Sequence, residues 1–268
     1  MTLVNGQPCE SIDAHDRGLA YGDGVFRTLR TQAGQPLWWS DHYATLAADC
    51  AALKLACPDE AVLHREACAV AEAGAGVVKI VITRGVGVRG YAPSGGQAVT
   101  RLVLSAPLPP HAGADASQAI TARWCSLQLA RQPRLAGIKH LNRLENVLAR
   151  AEWDDPAIIE GLLCDTDGMV IGGVMSNLFW ARDGVLFTPD LGQCGVAGVA
   201  RTRLLRAAAR RGIPTRIERL PPAAILAADE LMICNSLIGV RRVARLGDAN
   251  WSPTGWTDTL NAALYEDN

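Results

Sequence analysis

Lysine is scarce in this chain: of 26 basic residues only Lys54, Lys79 and Lys139 are lysines, and the other 23 are arginines. Lys139 lies in GIKHLNRLENVLAR, between the end of an apolar loop and a helix expected over 141–152, with Leu141, Leu144, Val147 and Leu148 as its buried face. A lysine at the edge of an apolar element is desolvated, which disfavours the ammonium form and leaves a nucleophilic amine at neutral pH. Imine chemistry with a carbonyl cofactor needs such an amine. The same placement also suits a lysine snorkelling to water from a helix start, and this segment alone leaves both readings open. Lys79 falls inside VVKIVITR, where alternation puts it on one strand face with Val77 and Val81, and Lys54 falls late in a helix, where a cation suits the carbonyl end. Both read as structural.

Two further segments carry groups suited to binding. In GVAGVARTR, Gly195 and Gly198 free the backbone to turn, and the amides of Val199 and Ala200 open a helix whose positive end favours a phosphate. Asn235 and Ser236, in ICNS after an apolar strand, are candidate donors to the same anion, although two ordinary turns fit these residues equally well. RGVGVRGY, from Arg84 to Tyr91, reads either as a loop whose Arg89 and Tyr91 grip a carboxylate-bearing substrate or as a solvated hairpin connection.

Other chemistries lack their minimum parts. There is no GxSxG elbow, Walker loop or HExxH, and the GAGV run from Gly74 does not follow a strand as a dinucleotide turn would. The eight cysteines form no CxxC pair and the five histidines are isolated from one another, so no metal site is expected. The cysteines are spread along the chain without a secretion signal and read as reduced thiols. With 26 basic against 27 acidic residues the net charge is −1, which gives no footprint for nucleic acid. No window reaches the roughly 18 to 20 apolar residues of a membrane helix, and MTLVNGQPCESIDAHD lacks a basic patch followed by an apolar core, so a cytoplasmic protein is expected.

These groups must be held by an ordered set of elements. LVNGQ signals a hairpin, GVFRTLR follows the Gly-rich turn YGDG, and a helix starts at Ser40 or Asp41 and stops by Pro58. Asp59 caps a second helix, and strands VVKIVITRG and TRLVLSAPL flank the loop over 87–99. This gives a smaller N-terminal α+β domain over 1–107. The Pro-, Gly- and Ala-rich stretch over 108–117 reads as a linker, and 118–268 as a larger C-terminal α/β domain carrying Lys139. The expected architecture is two domains with the active site in the cleft between them.

Together the segments DRGLAYGDGVF (16–26), TRGVGVRGY (83–91), GIKHLNRLENVL (137–148), SNLFW (176–180), GVAGVAR (195–201) and ADELMICNS (228–236) resemble the class IV aminotransferase-like enzymes, the fold type IV family dependent on pyridoxal 5'-phosphate (PLP), and within it the aminodeoxychorismate lyases. The resemblance implies that Lys139 is the Schiff-base residue, that Gly198, Val199, Ala200, Asn235 and Ser236 hold the cofactor, and that Arg89 and Tyr91 meet the substrate. It also implies a homodimer, and conversion of 4-amino-4-deoxychorismate to 4-aminobenzoate and pyruvate for folate synthesis. Two positions depart from the family. Thr45 stands where an arginine usually clamps the phosphate, and Gly172 where a glutamate usually keeps the pyridine nitrogen protonated. A charge-assisted hydrogen bond contributes about 1.5 to 3 kcal/mol, so loss of the arginine weakens PLP binding by about tenfold or more. Three alternatives follow: a lyase acting without PLP, a non-catalytic binding relative, and a branched-chain or D-amino-acid aminotransferase. The last depends most on the missing carboxylate.

Overall fold

The computed structural model describes residues 1–93, 96, 98–113 and 118–266. Three residues of the loop over 87–99 and four of the expected linker, 114–117, lie outside the described residues. The chain divides into two compact units, Met1–Ala112 with Ile138–Asn142, and Gly113–Gly137 with Arg143–Asn268.

The first unit contains β1 (Thr2–Val4), β2 (Gln7–Pro8), α1 (Arg17–Tyr21), β3 (Gly24–Gln32), β4 (Gln35–Pro36), α2 (Trp39–Ala52), α3 (Glu60–Val70), β5 (Gly76–Thr83) and β6 (Thr100–Pro107), and the short α4 (Pro110–Gly113) leads out of it. Its six strands form one antiparallel sheet in the order β2-β1-β6-β5-β3-β4. Alternation along β3 sends Val25, Arg27 and Leu29 to the buried face and Phe26, Thr28 and Arg30 to the other. Leu46 and Cys50 of α2 and Leu63, Ala67 and Val70 of α3 pack with Val25, Leu29, Val78, Ile80, Ile82 and Val103 to form the core. Asp59 caps α3 by accepting from the Ala61 and Val62 amides, as the sequence indicates. Helix α2 begins at Trp39 without a side-chain cap and ends at Ala52, so Lys54 lies just beyond it with φ at 55°.

The second unit contains β7 (Ile120–Leu129), α5 (Leu144–Arg150), β8 (Ile158–Asp165), β9 (Val170–Gly173), β10 (Asn177–Arg182), β11 (Val185–Pro189), α6 (Val199–Arg210), β12 (Thr215–Glu218), α7 (Pro222–Leu226), β13 (Glu230–Asn235), β14 (Gly239–Leu246), β15 (Ala249–Asn250) and α8 (Trp256–Tyr265). Its nine-stranded sheet runs β12-β11-β10-β13-β14-β7-β8-β9, with β15 paired to β14. It is mixed: β11–β12, β14–β7 and β7–β8 are parallel and the other pairs antiparallel. Two apolar clusters form around it, one on Trp180, Leu231 and Val243, the other on Trp153, Leu163 and Ile171.

The domain limits differ from the sequence reading. The first unit runs to Ala112 rather than 107, α4 puts a helical turn inside the expected linker, and residues 138–142, Lys139 among them, belong to the first unit and not to the C-terminal one. The cause is hydrogen bonding: His140 bridges Val25 in antiparallel sense, the Phe26 amide donates to the Lys139 carbonyl at 3.0 Å, and the Leu141 amide donates to the Gly24 carbonyl at 2.9 Å. Ile138 adds its buried side chain to the first core. A second correction concerns α5, which begins at Leu144 and leaves Leu144, Val147 and Leu148 68%, 61% and 54% exposed, turning Ala149 to the interior instead. An apolar stripe at helical spacing marks a face that wants covering, without saying that this chain's own core covers it.

Leu46 is the buried contact that seats α2 on the sheet. Leu46→Ala is expected to lower stability by about 2 to 5 kcal/mol, seen as a reduced urea midpoint with an unchanged m value; a loss under about 1 kcal/mol would contradict that packing role.

Candidate active site

Lys139 is positioned by backbone pairing. Residues 138–141 run beside the start of β3, and alternation directs Ile138 and His140 to the core face with Val25, and Lys139 and Leu141 to the other. The lysine Nζ lies 4.3 Å from the centre of the Phe26 ring, on the same face. Lys79, opposite Thr28 in the β3–β5 ladder, sends its own Nζ to 5.0 Å from that ring. Gly24 keeps this corner open, since a Cβ there would lie 2.4 Å from the Ile82 carbonyl oxygen and 2.8 Å from Leu141 Cδ1. The Lys139 main-chain N–H donates to Asp49 Oδ2 at 3.1 Å. Asp49 also accepts from Arg27, and both side chains are buried. Burial pushes the Asp49 carboxyl up, against the opposing pull of the Arg27 guanidinium and the Lys139 amide.

The loop carrying Arg89 and Tyr91 is held by residues the sequence reading treated only as a family signature. Buried Arg17 donates from Nη1 to the Gly90 carbonyl at 2.8 Å, from Nη2 to the Tyr91 carbonyl at 3.1 Å and from Nε to Asp23 at 3.0 Å. The Gly90 amide donates to the Tyr21 hydroxyl at 2.9 Å, and the Tyr21 and Tyr91 rings meet in a tilted contact with centroids 5.5 Å apart. Arg84 donates to the same Asp23 carboxylate at 2.8 Å, and the two guanidiniums hold that carboxyl below its ordinary value although burial opposes them. DRGLAYGDG and RGVGVRGY thus form one device: the first grips the backbone of the second and leaves the Arg89 side chain and Tyr91, 88% exposed, facing outward.

In the second unit the Gly-rich turn leads directly into a helix. Gly198 is the N-cap of the 12-residue α6 and supplies no side-chain cap, so the Val199 and Ala200 amides lack the intrahelical acceptors that later residues find. The Gly198 amide donates to Asn177 Oδ1 at 3.0 Å, and a Cβ at Gly198 would fall 2.3 Å from that oxygen. Asn177 also donates to the Val196 carbonyl at 2.8 Å and pairs with Cys234, one residue before Asn235. Asn235 braces its own turn instead of presenting donors: Oδ1 accepts from the Leu237 and Ile238 amides, and Nδ2 donates to the Met175 carbonyl at 3.1 Å. Ser236 follows in that turn, half-buried. Within the second unit, the Gly137 amide donates to the Gly195 carbonyl at 3.0 Å and the Gly137 carbonyl accepts from the Ala197 amide at 2.9 Å.

The two departures are visible as chemistry. Thr45 Oγ1 donates to the Asp41 carbonyl at 2.7 Å, a contact internal to α2. Among the arginines of the first unit, Arg27 is paired with Asp49, Arg101 makes a two-pronged pair with Glu66, and Arg89 is exposed in its loop. Gly172 is buried, and a Cβ there would sit 3.1 Å from the Ser176 carbonyl oxygen. Buried Glu160 is the nearby carboxylate, within 2.7 Å of a Cβ added at Gly173. It accepts from the Gly161, Val174 and Met175 amides and from Ser176 Oγ, and burial pushes its carboxyl up. Its acceptor sites are spent on that turn.

Taken unit by unit, the groups compatible with PLP are the Lys139 amine in the first unit and, in the second, the amides at the start of α6, which have no side-chain cap; Gly172 has no side chain to offer a carboxylate. Among the described residues no cluster of three or more His, Cys, Asp or Glu side chains is placed to hold a metal ion, and no helix is long and apolar enough to cross a membrane. Residues missed from sequence were Arg17, Tyr21, Asp49, Asn177 and Glu160, whose partners are distant in the chain. Arg17 and Tyr21 left a trace there through the DRGLAYGDG segment, and Asn177 through SNLFW.

Residues 24–246 match the family model of amino-transferase class IV. The chain is 36% identical over 245 residues to an aminodeoxychorismate lyase of Vibrio harveyi, covering 91% of this chain and 90% of that protein. It is 30% identical over 238 residues to a putative branched-chain-amino-acid aminotransferase of Methanocaldococcus jannaschii, covering 86% and 82%. Its fold superposes on the crystal structure of 4-amino-4-deoxychorismate lyase from Pseudomonas aeruginosa with a TM-score of 0.92 and 42% identity, covering 100% of this chain and 99% of that one.

Removing the Arg17 guanidinium should free the loop it grips. In Arg17→Met, backbone hydrogen exchange over 87–91 is expected to quicken by about tenfold or more, from loss of charge-assisted hydrogen bonds. Unchanged exchange would mean that the loop is held by other contacts.

Proposed function

The chain belongs to the amino-transferase class IV family, and from that premise we propose that it is a PLP-dependent aminodeoxychorismate lyase, releasing pyruvate and 4-aminobenzoate from 4-amino-4-deoxychorismate. The observation that carries the reading is the placement of Lys139 on the open face of β3 against Phe26, with its main chain fixed on both sides. PLP, when bound, supplies an aldehyde for the lysine amine and a conjugated ring that takes up electron density as the substrate C–H bond breaks.

This chain's own residues do the rest. Lys139 Nζ anchors the cofactor, then takes the proton from the amine-bearing carbon and returns one to the departing enolpyruvyl group. The Val199 and Ala200 amides, at the positive end of α6 behind Gly198, bind the phosphate. Asn235 shapes the neighbouring turn, and Ser236 presents its hydroxyl there. Arg89 and Tyr91, at the tip of the braced loop, meet the substrate's carboxylates, which a guanidinium recognises through paired hydrogen bonds.

With Thr45 and Gly172 in place of two cofactor contacts, PLP is held more weakly than an arginine and a glutamate would hold it. The same substitutions favour a lyase over an aminotransferase. Elimination that leaves an aromatic ring leans less on a protonated pyridine than does storing an amino group on the cofactor. The exposed Leu144, Val147 and Leu148 of α5 support a homodimer, since an apolar helix face of this kind calls for a partner. Eight free cysteines fit a reducing, cytoplasmic compartment, and 4-aminobenzoate as product fits folate synthesis.

Pyruvate release from aminodeoxychorismate, measured on one preparation before and after removal and return of PLP, tests this reading. Turnover is expected to fall on removal, recover on return and be absent in Lys139→Ala. Equal turnover without PLP would establish the cofactor-free lyase, and no turnover in any state would leave a binding protein in its place.

A further inference from the structure

The charged pair behind β3 is the group that the proposed chemistry leaves unused. Arg27 is 2% exposed and donates from Nη2 to Asp49 and, at 3.4 Å, to the Thr45 carbonyl. It therefore arrives at the turn of α2 that carries Thr45, but from the strand, and accompanied by a carboxylate of its own. With that carboxylate already beside it, Arg27 is not a free phosphate clamp. Asp49 faces two ways: one oxygen, Oδ2, receives both the guanidinium and the Lys139 main-chain N–H. The lysine side chain then leaves on the opposite face of the strand pair, toward Phe26.

We propose that Asp49, held by Arg27, is a positioning residue for Lys139: its carboxylate fixes the lysine's main chain against β3, and the balance of the pair's opposite charges sets how readily the lysine amine loses its proton. This rests on Lys139 as the reactive amine. Among the described residues of the first unit, Asp49 of α2 meets the Lys139 main chain, Arg27 of β3 is paired with Asp49, Lys79 of β5 shares the Phe26 ring with Lys139, His140 is its chain neighbour, and His42 of α2 lines a small cavity with Arg27. Arg27 and Asp49 are joined to the Lys139 backbone through one hydrogen-bonded chain. Their charges cancel as a pair, so altering one alone leaves its partner's charge acting on the amine at low dielectric.

With only three lysines in the chain, competitive acetylation across a pH series, read peptide by peptide on the full chain without added cofactor, follows Lys139 directly, with Lys54 as internal reference. Asp49→Asn keeps an oxygen for the Lys139 N–H and leaves Arg27 unbalanced. The Lys139 midpoint is expected to fall by about one pH unit, giving roughly tenfold more free amine at a fixed pH below it. Arg27→Met with Asp49→Asn removes both charges, and Lys139 should then titrate as in the unaltered protein. An unmoved midpoint in folded Asp49→Asn, or an equal shift in the double variant, overturns the proposal. Because one unpaired buried charge is costly to fold, Arg27→Met alone decides the matter if Asp49→Asn does not fold: the midpoint should rise, and no rise overturns the proposal. Failure here is separable from failure of the lyase reading, because labelling needs neither PLP nor turnover.

Discussion

The pairing of residues 139–141 with Gly24–Phe26 is the constraint on which the rest of the candidate site depends. Side chains alternate across an extended segment, so one register decides which face receives the lysine, and a slip of one residue would bury it among Leu29, Leu46 and Ile80. That register is fixed from three directions. The Gly24 and Phe26 backbone groups pair with the segment, Asp49 takes the lysine's own N–H, and Gly137 just upstream is tied to Gly195 and Ala197. An amine on a long flexible stem gains its precision from a stem base that cannot move.

The same economy recurs wherever a turn has a function. Buried polar groups shape backbone: Arg17 grips Gly90 and Tyr91, Asn177 grips Gly198 and Val196, Glu160 grips the turn at 174–176, and Asn235 grips its own. Each satisfies main-chain groups that no helix or strand ladder serves, which is where an unmet donor or acceptor is costly. Against this background the two departures from the family are selective. Thr45 and Gly172 place neither an arginine nor a carboxylate at their positions, while the hydrogen bonding around Lys139, the turn at Gly198 and the loop at Gly90 is in place.

Local signals carried far into this fold. Asp59 before EAVLHREACAV is a cap in both sequence and structure, and GVFRTLR and VVKIVITRG, one following a Gly-rich turn and the other rich in β-branched residues, are strands. The turn at Gly198 was legible because glycine there has a steric reason. What escaped depends on pairing across the chain. Nothing in GIKHLN reports that Gly24 and Phe26, more than a hundred residues earlier, take up its backbone, so Lys139 was assigned to the wrong unit. The apolar stripe of α5 was legible as a stripe, but periodicity gives the face and not its partner. Asp49 lies within α2 with no local signal to mark it; its meaning comes from Arg27 and Lys139 meeting it from two other segments.

The central claim is that one lysine of three carries the covalent chemistry. Borohydride reduction of the protein mixed with PLP, followed by peptide mapping, tests it most directly. The account expects the reduced pyridoxyl group on Lys139 alone; a modification on Lys54 or Lys79 in its place, or on no lysine, would contradict it.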